Sequence, residues 1–401
     1  MPGPMDGIRV VELGFWVAGP SASGVLADWG AEVVKIEPPD GDPFRGLFVS
    51  AIGEQPAVNP PFELDNRGKR SITLDLTTVE GRRIARQLIA RADAFVTNIR
   101  AEVLRRFELD YDRLAAENPG LVYAAITGYG DNGPDCDRPS YDIGAFWSRA
   151  GIAAALTPPG GDPPYQRGAL GDHMAGVSIA GGVAAALVAR ARTGRGQRVS
   201  TSLLRIGIFA LGWDTNTSLR LGVPVTPMTR TRTPNPLISC YRAGDGRWLW
   251  LLGLQGQRHW PDLVCAVGRP EWLDDARFAT MKARRDNCPD LVALLDAIFA
   301  TRPLAEWGEI LDRAGMWWAP VQTTTEVIED PQAIAAGAFV DVPLPEGGTA
   351  KMVASPIDFS HTAWSARTSA PELGQQTEEI LLELGYDWDA IGSLRAAGAL
   401  G

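Results

Sequence analysis

Short β-branched runs alternate with amphipathic stretches along the first 130 residues of the chain. Five runs predict buried strands: IRVVEL (Ile8 to Leu13), AEVVKIE (Ala31 to Glu37), SITLDL (71–76), DAFVTNI (93–99) and LVYAAITGYG (121–130). Helical spacing between them predicts helices over Pro20 to Trp29, Val79 to about Ala92 and Ala101 to Glu117, the second opened by a Thr77–Glu80 capping box. Parallel strands with helical crossovers indicate an α/β fold with a mostly parallel, Rossmann-like sheet.

Turn-forming residues and then small residues dominate the next part of the chain. Residues 130–171 are rich in Pro and Gly, as in surface loops that line functional sites. The run HMAGVSIAGGVAAALVARARTG (173–194) predicts a long helix able to pack closely against a neighbour, and TGRGQRVSTSLL (193–204) predicts a turn, a strand and a second helix.

A change of composition marks a second domain. Residues 223–236 are rich in Pro and Thr, and LISCYRAGDGRWLWLLGL (237–254) predicts a hairpin with its turn at Ala243 to Gly246. Amphipathic, Trp-rich helices continue to about Trp318, and we expect these tryptophans mainly in a core. We therefore expect a large domain from residues 1–222 and 326–401 and a small α+β domain from residues 223–325. Short strands and a helix over Thr377 to Leu384 would complete the large domain.

Composition and charge exclude several classes of protein. The 401 residues carry 38 Lys+Arg against 48 Asp+Glu, a net charge of −10, which argues against nucleic-acid or anionic-membrane partners. The four cysteines are scattered and no HxxxH pair occurs, so we expect no metal site. The N-terminus does not have a signal-peptide pattern, and the apolar stretch from Ser178 to Ala189 is shorter than the ~20 residues that span a bilayer. We expect a cytoplasmic protein.

The usual nucleotide-binding motifs are absent. The first glycines fit neither G-x-G-x-x-G nor a P-loop, so Glu37 is interpreted as a solvated strand end. Asp172, in GALGDHMAGV, has two readings. It is either the N-cap of the small-residue helix, or a carboxylate nucleophile whose oxyanion the helix N-terminus would stabilise.

Two other groups of residues are candidates for chemistry. His173 is interpreted as a helix-start or wall residue, with proton transfer as the alternative; no G-x-S-x-G elbow accompanies it. Arg100, Arg105 and Arg106 follow a predicted strand. They form either a solvated helix face paired with Glu102 and Glu108, or a phosphate clamp at the carboxyl end of the strand.

An ordered set of motifs resembles one family over about residues 6–385. The motifs are DGIRVVEL…AGP…LADWGAEVVKIEPPDGDPFR, NRGKRSITLDL, LVYAAITGYGDNGP, PSYDIGAF, GDHMAG, TGRGQRVSTSLL and DPQAIAAGAFV. Together they are similar to the class III CoA-transferase family, which also includes α-methylacyl-CoA racemases. The resemblance implies a large domain built from both chain ends, an inserted small domain, and a homodimer whose subunits interlock like chain links.

The resemblance implies covalent catalysis by Asp172. Its carboxylate would attack an acyl-CoA thioester to give a mixed anhydride and CoA thiolate, and return of the thiolate would give an aspartyl-CoA thioester that activates an acceptor carboxylate. CoA esters and carboxylic acids would be substrates, with no permanently bound cofactor. The CoA contacts implied are Val17, Ala18, Leu74, Asp75, Asn98, Ile99, Arg100, the phosphate-contacting Arg106, and Tyr141 and Asp142 near the thioester.

Some positions depart from the family patterns and leave alternatives open. Formyl-CoA-type transferases have Gln where this chain has Val17, often Arg where it has Pro38, and a glycine-rich loop where it has TRTRTPNPL. Racemases have His where this chain has Tyr141. The leading hypothesis is an acyl-CoA:carboxylate CoA-transferase; a racemase or isomerase and a non-catalytic CoA-ester binding protein are the alternatives. The sequence identifies neither the donor nor the acceptor acid.

Overall fold

The chain forms two compact units. The computed structural model describes residues 3–54 and 56–401. The larger unit holds residues up to Ala154 together with Tyr165–Val225 and Ala335–Gly401, and the smaller unit holds Ala155–Pro164 and Thr226–Ile334. Each unit has its own hydrophobic core.

A six-stranded parallel sheet organises the larger unit. Its strands are β1 (Arg9–Leu13), β2 (Glu32–Glu37), β3 (Lys69–Thr73), β4 (Ala94–Thr97), β5 (Val122–Thr127) and β6 (Arg198–Ser202). They lie in the order β3-β2-β1-β4-β5-β6, and Val10 of β1 pairs with both Val33 and Ala94. This is the strand order of Rossmann folds, so the predicted mostly parallel α/β sheet is confirmed.

The first ten helices begin in the larger unit, and the last two residues of the seventh belong to the smaller unit. They are α1 (Ala18–Asp28), α2 (Leu47–Ile52), α3 (Pro60–Asn66), α4 (Val79–Ala90), α5 (Ala101–Arg106), α6 (Tyr111–Glu117), α7 (Ile152–Leu156), α8 (Leu170–Thr193), α9 (Leu203–Ala210) and α10 (Gly212–Leu221), with a 3₁₀ turn at Pro43–Gly46 and a π-helical turn at Ile143–Arg149. Helices α1 and α8 pack together over one face of the sheet, where Leu26 and Ile179 join Val10 and Val96 in one core.

The smaller unit is an α+β structure. An antiparallel sheet contains β7 (Ile238–Arg242), β8 (Trp248–Leu252) and β9 (Trp318–Pro320), with the hairpin turn where the sequence predicts it. The helices are α11 (Gly256–Ala266), α12 (Met281–Asp286), α13 (Cys288–Phe299), α14 (Leu304–Ala314) and α15 (Thr324–Glu329), with 3₁₀ turns at Arg230–Arg232 and Pro270–Leu273. Trp260, Trp272 and Trp307 lie in its core, whereas Trp248 and Trp250 are exposed on the other face of β8.

The last two helices of the chain cover the second face of the parallel sheet. The C-terminal segment contains α16 (Pro331–Ala335), the antiparallel pair β10 (Phe339–Pro343) and β11 (Thr349–Val353), and then α17 (Thr377–Leu384) and α18 (Trp388–Ala396). Phe359 and Trp364, between β11 and α17, pack instead against the core on the α1 face. Ile380 and Ile391 of this segment pack with Ile84 of α4 against Val11 and Ile72. Helices therefore cover both faces of the sheet, which explains why its strands read as β-branched runs.

Two local predictions are wrong. The segment predicted as one helix from Ala101 to Glu117 is two helices, because Glu108 adopts a φ of 61°, in the left-handed region that ends a helix. The Thr77–Glu80 capping box does not form. Instead Thr78 caps α4 by accepting from the Gly81 N–H, while the Thr77 hydroxyl donates to Asp75.

The third strand and the small-residue helix begin earlier than predicted. Strand β3 starts at Lys69 and its pairing with β2 ends at Thr73 opposite Glu37, so Leu74 and Asp75 follow the strand rather than lie on it. Helix α8 starts at Leu170. Its length and composition would also suit a membrane span, a test that the core helices of globular proteins pass as well, and Ile179 and Val183 of α8 lie in the core beside α1.

Candidate functional site

A cleft opens at the carboxyl ends of β1, β4 and β5. Its volume is about 700 Å³, and it is lined by loop residues that include Phe15, Trp16, Asn98–Ala101, Gly130, Arg138 and Tyr141. The strand order reverses between β1 and β4, and doubly wound folds bind ligands at this topological switch point. Of the implied CoA contacts, the cleft brings together Asn98, Ile99, Arg100 and Tyr141.

A smaller apolar cavity shares Phe15, Ile99 and Val103 with the cleft. Its volume is about 280 Å³, and its lining includes Pro38, Leu74 and Asp75. Leu74 and Asp75 thus face the same region as Asn98 and Ile99, although they lie just beyond β3. Because the walls are mainly hydrocarbon, this cavity suits the flat, weakly polar part of a ligand.

The loop after β1 is held rigidly at the cleft. The Asn98 side chain accepts from the Phe15 N–H at 3.0 Å and donates to the Phe15 carbonyl at 2.8 Å. Trp16 has a φ of 63°, and its N–H donates to Asp42 Oδ1 at 3.0 Å. A non-glycine residue keeps such a backbone conformation only where its surroundings impose it, so the cleft wall is preorganised. The Trp16 ring meets Tyr141 edge to face, with 5.9 Å between ring centroids.

Val17 and Ala18 lie at the start of α1. Val17 is the N-cap residue of α1, and Ala18 is its first helical residue. Val17 is buried with Phe44 and Phe62 in a small cluster that Trp16 and Ala169 also contact. Neither Val17 nor Ala18 is among the residues that line the cleft.

The arginines after β4 have no carboxylate partners. Within residues 3–54 and 56–401, neither Arg100, Arg105 nor Arg106 forms an ion pair, and Glu108 instead binds Arg86 and Arg113. Arg100 and Arg105 line the cleft. The Arg106 guanidinium lies 5.2 Å from the centroid of the Phe107 ring, and Phe107 lines the smaller cavity. The predicted pairing with Glu102 and Glu108 is therefore wrong, and the charge of these arginines is available to an anion.

A layer of buried charges lies beneath the cleft, on the face of the sheet covered by α1. We call this the charge layer; its members are Glu12, Lys35, Glu37, Asp42 and Lys69, all fully or almost fully buried. Glu12 accepts from Lys35 at 2.7 Å and from Lys69 at 2.6 Å. Lys35 also binds Asp42 and the Gly14 carbonyl, both at 2.9 Å. The charge layer therefore anchors both Gly14 and, through Asp42, Trp16.

The pKa values in the charge layer follow from burial and pairing. Burial alone would raise the pKa of Glu12, but the two lysines outweigh it and lower this pKa to about 2. Burial lowers the pKa of Lys69 to about 8, with Glu12 opposing the shift. Glu37 is not the solvated strand end that the sequence predicts. It is fully buried and binds Arg45 and the Ser71 hydroxyl at 2.7 Å each.

Asp172 lies in the first turn of α8 and is not its N-cap. Ala169 occupies the cap position with a φ of 65°, and Asp172 is the third helical residue, so the N-cap interpretation is wrong. The side chain of Asp172 is half-buried. Burial and the nearby Asp142 carboxylate raise its pKa to about 7, against a lowering by His173. A carboxylate whose pKa is raised this far by burial and a specific charged neighbour is a candidate catalytic group.

Close packing fixes the start of α8. Asp142 Oδ2 accepts from the Gly171 N–H at 3.1 Å and from Gln166 Nε2 at 2.8 Å. A Cβ at position 171 would lie 2.3 Å from Asp142 Oδ1, and one at position 176 would lie 2.1 Å from Ser21 Oγ on α1. Only glycine fits at these two positions, so the GDHMAG motif places Asp172 by close contact with its neighbours. Asp142 follows Tyr141, and this links the cleft to the N-terminus of α8.

His173 contacts a carboxylate that the sequence analysis did not identify. Its Nε2 lies 3.1 Å from Oδ1 of Asp65, a residue of α3 that is 4% exposed. Burial alone would lower the pKa of His173, but the hydrogen bond to Asp65 and the charge of Asp172 raise it above its ordinary value. The raised pKa favours the protonated imidazolium form, whose positive charge lies within the carboxylate cluster.

Sequence reasoning missed the charge layer and Asp65 for different reasons. In β1 and β2, Glu12, Lys35 and Glu37 interrupt β-branched runs at alternate positions, a pattern that could have indicated buried charges. Asp65 has no such signal, because α3 and α8 are far apart in the chain. In the described part of the chain, no cluster of three or more His, Cys, Asp or Glu side chains is arranged to hold a metal ion.

Comparisons with known proteins identify the family of the chain. The model of "CoA-transferase family III" matches residues 5–377. The chain is 34% identical over 395 residues to (R)-2-hydroxy-4-methylpentanoate CoA-transferase of Clostridioides difficile, covering 98% of both chains. It is 32% identical to cinnamoyl-CoA:phenyllactate CoA-transferase of Clostridium sporogenes, covering 97% of this chain and 95% of the other. A crystal structure of a CAIB/BAIF family protein from Brucella suis superposes with a TM-score of 0.84 at 32% identity, covering 96% of this chain and all of the other.

Proposed function

The chain belongs to CoA-transferase family III, and we propose that it moves coenzyme A from an acyl-CoA donor to a carboxylic acid acceptor through a covalent intermediate at Asp172. The observation that carries the proposal is the half-buried Asp172 carboxylate with a pKa raised to about 7, in the first turn of α8, whose start is held by Asp142, the residue after the cleft-lining Tyr141. Burial makes a carboxylate less well solvated and therefore a better nucleophile once it is ionised.

Covalent transfer divides the reaction into balanced steps. An Asp172 oxygen attacks the thioester carbonyl carbon and the C–S bond breaks, giving a mixed anhydride and CoA thiolate. The thiolate then attacks the Asp172 carbonyl carbon, which releases the donor acid and leaves an aspartyl-CoA thioester. The acceptor carboxylate repeats both steps in reverse order and restores the free Asp172 carboxylate. No step consumes or releases a proton.

We test this function with the purified enzyme and isotopically labelled acids. The first acceptors are the acids in the names of the two relatives above, and the first donors are the CoA esters of those acids. Succinyl-CoA and aromatic acyl-CoA donors follow. We expect labelled acid to appear in a CoA ester, and hydroxylamine to leave a hydroxamate at Asp172 that mass spectrometry locates. Deuterium uptake at the α-carbon without CoA exchange would instead support the racemase alternative, and binding without turnover would support a CoA-ester binding protein.

We propose that the CoA moiety occupies the cleft and the adjoining apolar cavity. The implied contacts divide between the two spaces: Asn98, Ile99, Arg100 and Tyr141 line the cleft, and Leu74 and Asp75 line the cavity. The unpaired arginines at the mouth would bind phosphate groups. Tyr141 and Asp142 would lie toward the thioester, since Asp142 contacts the residue before Asp172. Val17 and Ala18 would form the back of this wall.

Replacing Arg106 tests the phosphate contact. A hydrogen bond between charged groups contributes about 1.5–3 kcal/mol, so Arg106→Ala is expected to raise KM for the acyl-CoA donor by about 10- to 100-fold while kcat stays within about threefold. Steady-state kinetics with the donor and with its 3′-dephospho analogue provide the measurement. Arg192→Ala, at an exposed arginine near the end of α8, is the matched control. An unchanged KM in Arg106→Ala would remove this residue from the binding site.

We propose that the protein forms an interlocked homodimer. Helices α9 and α10 expose large apolar side chains, with Phe209 82% exposed and Trp213 88% exposed, followed by Leu219 and Leu221. An apolar surface of this extent normally binds a partner, and a second copy of the chain is the occupant that the family resemblance implies.

Sedimentation velocity checks the oligomeric state. The wild-type protein is expected to sediment at twice the mass of one chain, and Phe209→Glu/Trp213→Glu is expected to weaken the dimer or prevent its folding. Val79→Glu places the same charge at an isolated exposed valine of α4 and should leave the dimer intact. A monomeric wild-type protein at micromolar concentration would contradict the proposal.

We further propose a cytoplasmic enzyme that holds no permanent cofactor or metal and has no nucleic-acid or membrane partner. The net charge of −10 supports this, because it disfavours association with polyanions and anionic lipid surfaces.

A further inference from the structure

His173 directly follows the nucleophile in the first turn of α8, yet the transfer chemistry needs no proton donor or acceptor. Its Nε2 is bound to Asp65 Oδ1 at 3.1 Å, and the histidine side chain is 41% exposed. The ring also lines a cavity of about 240 Å³, whose wall includes Val25, Leu64, Val177 and Val353. Solvent therefore reaches the imidazole on one side, while a buried carboxylate holds it on the other.

The groups that face Asp172 and His173 are mostly negative. The charges of Asp142, just before the π-helical turn, and of Asp65, in α3, both raise the pKa values of Asp172 and His173. The charges of Glu12 in β1 and Lys69 in β3 shift the pKa of Asp65 in opposite directions, with Glu12 raising it and Lys69 lowering it. Two further charged residues of the cavity wall, Asp28 of α1 and Arg67 after α3, neutralise each other in an ion pair of 2.6 Å. Among the described residues, His173 is the positive group that acts on the Asp172 carboxylate.

We propose that Asp65 and His173 form a positioning pair that keeps a positive charge beside Asp172 and so keeps the nucleophile ionised. The proposal rests on the function given above, because only a nucleophilic Asp172 must be deprotonated. Asp65 fixes the imidazole by accepting its Nε2–H, and the buried negative charge favours the imidazolium form. The imidazolium in turn opposes the effect of burial and of Asp142 on Asp172.

The pH dependence of kcat/KM distinguishes this role from a structural one. The acid limb of kcat/KM reports ionisation of the free enzyme. Removing the positive charge raises the pKa of Asp172, so this limb should move to higher pH in His173→Gln. Asp65→Asn also removes a negative charge that raises the pKa of Asp172, so its limb should move less far. At pH 6 we expect kcat/KM of His173→Gln to be lower than that of wild type by about threefold or more, which corresponds to a shift of the acid limb by about half a pH unit. At pH 9 we expect kcat/KM within about twofold of wild type, since Asp172 is then ionised in every variant.

The controls separate failure of this inference from failure of the proposed function. His361→Gln, at an exposed histidine, should keep the wild-type profile. If a thermal melt shows that Asp65→Asn is unstable, the test relies on His173→Gln, because the side chain of His173 is only half-buried. An unmoved acid limb in His173→Gln, or an equal loss at every pH, overturns the positioning pair while wild type still forms its Asp172 adduct. If wild type itself forms no adduct with any donor, the proposed function is what fails.

Discussion

Asp172→Asn is expected to lower kcat by at least about 10³-fold and to abolish the hydroxylamine-trapped adduct, because an amide cannot attack the thioester as a carboxylate does. Asp172→Ala should lose at least as much activity. Affinity for free CoA should stay within a few-fold of wild type in both variants, since the proposed CoA contacts lie in the cleft and in the adjoining cavity. Kinetics, equilibrium binding and mass spectrometry of the same preparations provide the measurement.

The stability of Asp172→Asn separates loss of chemistry from loss of structure. The folded-state pKa of Asp172 lies near 7, above its ordinary value of 3.8, so ionisation of this group costs stability as the pH rises through that interval. The variant should therefore melt at the same or a higher temperature than wild type at pH 8, with a smaller difference at pH 5. Asp389→Asn, at an exposed aspartate in α18, controls for the substitution itself. More than a tenth of wild-type activity in Asp172→Ala would refute the covalent mechanism.

The parallel sheet could be predicted from the sequence because its strands are buried on both faces. Runs such as RVVEL and EVVKIE are unambiguous when helices separate them, and the strand order then follows from the common way of winding such sheets. Local ends were less predictable. The break between α5 and α6 depends on a single left-handed residue, Glu108, and nothing in its side chain requires that conformation.

The candidate site, too, was only partly predictable from the sequence. The motif around Asn98 predicted residues that line the cleft at the switch point, because residues after parallel strands share one edge of the sheet. The contact between Asp65 and His173 joins residues 108 positions apart and has no local pattern. Glu37 was misread because its local pattern is that of an ordinary strand end, whereas its partner Arg45 approaches it through the following turn. Sequence indicated which residues approach the cleft but not which charges are buried below it.

Glu12→Gln is expected to destabilise the protein by about 3–5 kcal/mol, because it leaves the buried ammonium groups of Lys35 and Lys69 without their shared carboxylate. Chemical denaturation at pH 7 provides the measurement. Glu80→Gln, which removes a surface pair with Arg83, should cost no more than about 1 kcal/mol and is the matched control. A loss below 1 kcal/mol in Glu12→Gln would show that the charge layer does not depend on this carboxylate.

The pH dependence of stability and a second substitution test whether uncompensated lysine charge causes the destabilisation of Glu12→Gln. The pKa of Glu12 is lowered to about 2 from 4.5, so its stabilisation is present above about pH 4.5 and is lost as the pH falls toward 2. In Glu12→Gln, raising the pH should recover stability, because Lys69 already has a pKa near 8 and loses its proton more readily without Glu12. Adding Lys69→Met to Glu12→Gln should likewise recover part of the loss, giving a non-additive double-mutant cycle. Lys35 also binds Gly14 and Asp42. Any loss of folding stability that remains in the double variant should therefore be accompanied by weaker CoA binding in the cleft.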